Sequence, residues 1–118
     1  MSYAEFQEHW EQEAGKERER YDARPVTELL ADIRAGRFGE YYQIWYSLGA
    51  RATLAEAGSV LFGILESQAN YLTRYHSAAA LISIAGVDAE GFSPVQLSAH
   101  RTQRVAENLA ALREKLQM

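Results

Sequence analysis

Three histidines, seven tyrosines, sixteen acids and no cysteine are the raw material for chemistry in this 118-residue chain. A helical metal site needs pairs such as Glu-x-x-His or His-x-x-x-His, which put two ligands on one face. Neither spacing occurs. His9 stands beside Glu8 and four residues before Glu13, which is half a site at best. His100 and Glu107 are two helical turns apart, too far to hold one ion. Ser59, Ser67, Ser77 and Ser83 have no nucleophile elbow and no paired base. The glycines form neither Gly-x-Gly-x-x-Gly nor a phosphate-binding loop. No catalytic residue, metal or cofactor is therefore expected, and the chain reads as a non-enzyme.

Four residues remain as binding candidates: Tyr41, Tyr46, Arg74 and His76. Tyr41, Tyr42, Trp45 and Tyr46 crowd into one predicted helix, where 41, 45 and 48 share a face and 42, 46 and 49 the next. Four large aromatics cannot all point inward, so Tyr41 or Tyr46 is expected at the surface, where rigid amphipathic rings favour interfaces. The plainer reading has them filling a core with their hydroxyls at its rim. Arg74 can bind a carboxylate in a groove, or tie helices together through carbonyls or an acid. His76 can act as a general base, but a lone histidine on such a face is more often packed and hydrogen-bonded.

Bulk composition narrows the partners. Net charge is −4 and the isoelectric point about 5.4, so no global field attracts nucleic acid or an acidic membrane. Arg101, Arg104, Arg113 and Lys115 make only a modest basic face, offset by Glu107 and Glu114. The start, Met1-Ser2-Tyr3-Ala4-Glu5-Phe6, lacks the basic and apolar regions of a signal peptide. No apolar run approaches the roughly 20 residues of a membrane span. With no cysteine, a reducing, cytoplasmic location is expected.

The elements that must position these residues are helices. The two prolines, Pro25 and Pro94, fall at apparent helix boundaries. No segment alternates long enough for a strand. Residues 1–24 are expected to form a charged amphipathic helix or arm, with Ser2 and Glu5 as a capping box. Its narrow stripe, expected to lay one edge on the body, is Tyr3, Phe6, Trp10, Ala14 and Tyr21; seven acids and four bases surround it, and the acidic stretch from Glu11 to Glu19 is a second candidate binding patch. Thr27 is expected to cap a second helix, and Glu40 to open a third ending near Ala50. Thr53 with Glu56 opens a fourth, and Asn70 caps a fifth that Gly86 ends. Gly58 and Gly63, inside the fourth, are expected to permit close helix contact. Ser93-Pro94-Val95-Gln96 starts a C-terminal amphipathic helix over 94–117. The expected fold is a single all-α domain of about six helices.

From Tyr41 to Val87 only Arg51, Glu56, Glu66 and Arg74 are charged. Within 27–86 two helical hairpins of similar length follow each other: a shift of 33 places Tyr42 on Tyr75 and Leu48 on Leu81. In the second hairpin, Val60-Leu61-Phe62 and Ile64-Leu65 precede a polar turn. Arg74, Tyr75, Ala78, Ala80, Leu81 and Ile84 follow on a small-residue helix. This unit resembles the HEAT-like helical repeat family. His76 and Ser77 depart from the pattern, standing where small apolar residues are usual, and the turn lacks the common Asp-Pro pair. The resemblance implies stacked antiparallel hairpins, an α-α superhelix, and a non-catalytic protein-interaction module. The alternatives are a small acidic inhibitor of the immunity-protein type and a small-ligand-binding helical domain. The stripes Tyr3–Trp10 and Val105–Leu116 leave a homodimer possible.

Overall fold

The computed structural model describes residues 2–86, 92–98 and 103–118, and all of its regular structure is α-helical. Among these described residues seven helices follow in order: α1 (Tyr3–Asp22), α2 (Val26–Arg34), α3 (Gln43–Arg51), α4 (Leu54–Leu65), α5 (Tyr71–Ala85), α6 (Pro94–Ser98) and α7 (Gln103–Leu116). The chain divides into two compact units, Met1–Leu48 and Gly49–Met118.

Most helix ends obey local chemistry. At Ser2 and Thr53 the hydroxyl accepts the N–H of Glu5 and of Glu56, and each glutamate reaches back to the cap N–H. The Asn70 side chain accepts from the Thr73 N–H to start α5. Gly86, at φ 63°, closes α5 in the left-handed conformation, with its N–H donated to Ile82. Ser93 and Gln96 exchange the same pair of bonds before α6.

Three expectations fail. The second helix begins at Val26 with Pro25 as its cap, not at a Thr27 cap, and no side chain bonds its first turn. Pro25 supplies the extended entry and its carbonyl accepts from Glu28 and Leu29. The third helix begins at Gln43 rather than Glu40, because Tyr42 has φ 62° and cannot continue a right-handed turn. The C-terminal segment is not one helix over 94–117. The Asn108 amide donates to the Gln96 carbonyl at 3.2 Å. In a continuous helix, residues twelve apart would be separated by about 18 Å. Helix α7 therefore lies beside α6 rather than continuing it.

In the first unit the buried apolar side chains are Ala14, Leu29, Leu30, Ile33, Ile44, Trp45 and Leu48. Phe38 leans on Trp45, their ring centroids 5.2 Å apart. In the second unit α4 and α5 form an antiparallel hairpin around a five-residue connection. Its register is fixed by Ser77, deep in α5, whose hydroxyl donates to the Leu61 carbonyl at 3.0 Å. Leu61, Phe62, Leu65 and Leu81 are buried, each worth about 1.5–3 kcal/mol of transfer from water. The end of α3 meets α5 through small residues. Gly49 has room for no Cβ without crowding Ala80 and Ser83, and the Ser83 hydroxyl donates to the Gly49 carbonyl. Gly58 and Gly63 differ from expectation and from each other. A Cβ at Gly58 would meet the Met118 side chain, whereas one at Gly63 would meet nothing within 4 Å.

Candidate functional site

Tyr41 and Tyr46 belong to the first unit, Arg74 and His76 to the second. In the first unit the deciding residue is Glu17, expected from the sequence within an acidic surface patch over Glu11 to Glu19 and found in the core instead. It is buried on α1. Its carboxylate accepts the backbone N–H of Glu40 at 2.9 Å and of Tyr41 at 2.8 Å. Two charge-assisted bonds thus hold the turn before α3 and keep Tyr41 outside the helix. The approach is close: a Cβ on Gly39 would fall 2.0 Å from Glu17 Oε1 and 2.7 Å from the Tyr21 hydroxyl. The signal was in the stripe itself. Position 17 lies three after Ala14 and four before Tyr21, so a charge there sits in apolar register and demands a partner.

Tyr41 is half-buried, its ring meeting Trp10 edge to face at 5.6 Å. Tyr46 is exposed, and Trp45 beside it is buried. The expectation that one of these tyrosines reaches the surface thus holds for Tyr46, while a face shared by Tyr41, Trp45 and Leu48 does not exist. Asp22, at the end of α1, accepts from Arg18 at 3.0 Å and from the Ser47 hydroxyl at 2.6 Å, joining α1 to α3 within this unit. Asp32 accepts from Arg24 at 2.7 Å and from Arg37 at 3.0 Å. The Arg24 bond, reinforced by Arg37, holds the Asp32 carboxyl below the usual carboxylate range against the opposing effect of burial. The same pair raises the Arg24 guanidinium. Burial raises the Tyr21 phenol, and the charges of Glu17 and Asp32 push it the same way.

What the first unit leaves uncovered is the start of α1. Tyr3 is 80% exposed and Phe6 54%, and Trp10 is exposed one turn further on. The expectation that this stripe lies along the body fails for its first half; burial begins at Ala14. Glu5, Glu8, Glu11 and Glu13 flank the stripe, with no lysine or arginine before Lys16.

In the second unit, Arg74 and His76 are each only 7% exposed. The His76 Nδ1 donates to the Leu72 carbonyl at 2.8 Å, one turn back on α5, and the ring meets Tyr75 edge-on. That nitrogen is engaged as a donor, which removes it as a general base. Arg74 lines a groove of about 520 Å³ between the α4–α5 connection and α7. Leu65, Val105 and Leu109 supply apolar lining, and Arg113 stands with Arg74 among the lining residues. Arg113 is held by Glu66, which accepts from its Nε at 3.0 Å, and lies over the Phe62 ring at 4.3 Å. The Arg74 Nε donates to the Ala69 carbonyl at 3.1 Å, a local bond five residues back in the α4–α5 connection rather than a tie from one helix to another. The groove joins residues some forty positions apart, and no local pattern announces it. His100 and Arg101 lie outside the described residues.

Among the described residues no cluster of three His, Asp or Glu could hold a metal ion, and no helix is long and apolar enough to cross a membrane. Comparison with protein-family models, curated proteins and solved structures finds no match to this chain.

Proposed function

We propose that this chain is a non-catalytic, cytoplasmic protein-interaction module of helical-repeat type, whose first unit docks a basic partner through the start of α1. The observation that carries this is the pair of uncovered aromatic side chains Tyr3 and Phe6, continued by Trp10, which stays partly exposed while one edge of its ring meets Tyr41. Aromatic rings of this size, left in water at helical spacing, are typical interface anchors. The four flanking glutamates fit a partner segment that presents lysine or arginine around apolar side chains. The antiparallel α4–α5 hairpin, closed by Arg74 on its own connection, supports the HEAT-like reading of the scaffold.

The same acidic half-helix favours a narrower second reading, an inhibitor of the immunity-protein type that masks a basic surface. Tyr46 adds an exposed ring on α3 to the candidate surface. Capture from native lysate with the wild type and with Tyr3→Ser/Phe6→Ser tests the proposal, because both rings lie outside the core. A partner that is lost with the double variant and released by salt supports it. Equal recovery with both proteins overturns it. Light scattering on the same pair of proteins identifies the case in which the partner is a second copy.

A further inference from the structure

We propose that the groove between the α4–α5 connection and α7 is a binding site for a small amphipathic monocarboxylate, with Arg74 as its anion anchor. This site lies in the second unit and does not rest on the interaction surface of α1.

Among the described residues Arg74 is a buried cation without a counter-charge. Only 7% of it is exposed, and it lines the groove. Among the described residues its guanidinium makes one hydrogen bond, from Nε to the Ala69 carbonyl, and no ion pair. No buried side-chain nitrogen or oxygen lacks a partner among these residues, so the two terminal nitrogens keep some exposure to solvent, and Arg74 is among the residues that line the groove. With Nε engaged, the edge that remains is the Nη1–Nη2 pair, which matches the two oxygens of a carboxylate. The guanidinium keeps only a narrow opening to solvent, and a ligand carboxylate entering there supplies the charged partner that the described residues do not.

The rest of the groove selects what carries the carboxylate. Its volume of about 520 Å³ lies in the range of small-molecule sites rather than of an extended protein interface. Leu65, Val105 and Leu109 provide an apolar wall for a short hydrocarbon or aryl tail. Glu66 already occupies Arg113, which leaves Arg74 as the anchor and turns an acid toward any second negative charge. That combination favours one carboxylate and disfavours a dianion such as a phosphate ester.

Isothermal titration with octanoate, with octanol as the uncharged control, tests the site. The wild type is expected to bind octanoate with a Kd of roughly 1 mM or tighter, given ten heavy atoms at ordinary ligand efficiency. Octanol is expected to bind at least about tenfold more weakly, because it leaves Arg74 unpaired. Arg74→Gln is expected to lose the same factor for octanoate and to leave octanol unchanged. Should Arg74→Gln fail to fold, Ala110→Trp decides: it keeps Arg74, fills the groove from α7, and is expected to abolish octanoate binding. Absence of octanoate binding to the wild type overturns the proposal. Equal affinity for octanoate and octanol, or unchanged octanoate binding by Ala110→Trp, also overturns it. A short acetylated peptide ending in a free leucine carboxylate, if it binds more tightly than octanoate, overturns the small-molecule assignment in favour of a protein terminus.

Discussion

The Glu17 carboxylate accepts the backbone N–H of Tyr41 across twenty-four residues of sequence, at 2.8 Å. With the Glu40 N–H on its other oxygen, it caps a turn that has no regular structure of its own. Glu17→Ala leaves both N–H groups without an acceptor in a part-buried place, and each orphaned donor costs about 1–3 kcal/mol. Glu17→Gln keeps the volume and one acceptor, so its cost is expected to be about half as large. Urea unfolding followed by circular dichroism checks both values. A glutamine as damaging as alanine would show that the charge, rather than the bonds, holds the turn.

Gly36 and Gly39 share nearly the same backbone, with φ of 77° and 76°, but not the same surroundings. A Cβ on Gly36 meets nothing within 4 Å, whereas one on Gly39 meets Glu17 Oε1 at 2.0 Å. Gly36→Ala therefore costs only the strain of the left-handed region, about 1–2 kcal/mol. Gly39→Ala adds the displacement of the Glu17 carboxylate from its two donors and is expected to cost at least about 1 kcal/mol more. Comparing thermal midpoints of the two variants isolates the close approach from the backbone effect they have in common.

These two relationships also mark where the sequence is and is not readable. Capping boxes at Ser2, Thr53 and Ser93, the Asn70 cap and the Gly86 stop are written in residues three or four apart. Local chemistry suffices there, and those helix ends match expectation. Glu40, Tyr41 and Tyr42 read as the first turn of a helix by the same local rules. They leave it because Glu17, on another helix, draws their N–H groups away and Tyr42 turns left-handed. Tyr41 thus ends against Trp10 rather than on a face with Trp45. The groove is illegible for the same reason: Leu65 and Val105 line it together only because α7 lies beside α6 rather than continuing it.

Asp32 should make acid stability measurable at a single residue. Arg24 and Arg37 lower its pKa in the folded chain. A depressed carboxyl contributes stability above its unfolded pKa and loses it as the pH falls through the folded value. The difference between wild type and Asp32→Asn is therefore expected to be full above about pH 5 and to vanish on acidification below the ordinary carboxylate range. Its size at neutral pH is expected to be about 1 kcal/mol or less, because both arginines are substantially solvated. Urea unfolding of both proteins between neutral and strongly acid pH checks the sign. A gap that widens on acidification would contradict the assignment.

Gly63 offers the opposite kind of test, a substitution that should stabilise. It lies inside α4, exposed, with open space where a Cβ would go. Alanine there removes backbone freedom from the unfolded chain without touching the folded one, so Gly63→Ala is expected to add about 0.5–1 kcal/mol. In a domain of this size that corresponds to a rise in thermal midpoint of about 2–5 °C. Gly58, in the same helix, has Met118 against it: a Cβ would fall 2.5 Å from Cε. The methionine end is flexible and can move, but at the loss of its packing. Gly58→Ala is therefore expected to gain less than Gly63→Ala, and the order of the two midpoints is the measurement. A larger gain at Gly58 would mean that Met118 does not rest on α4.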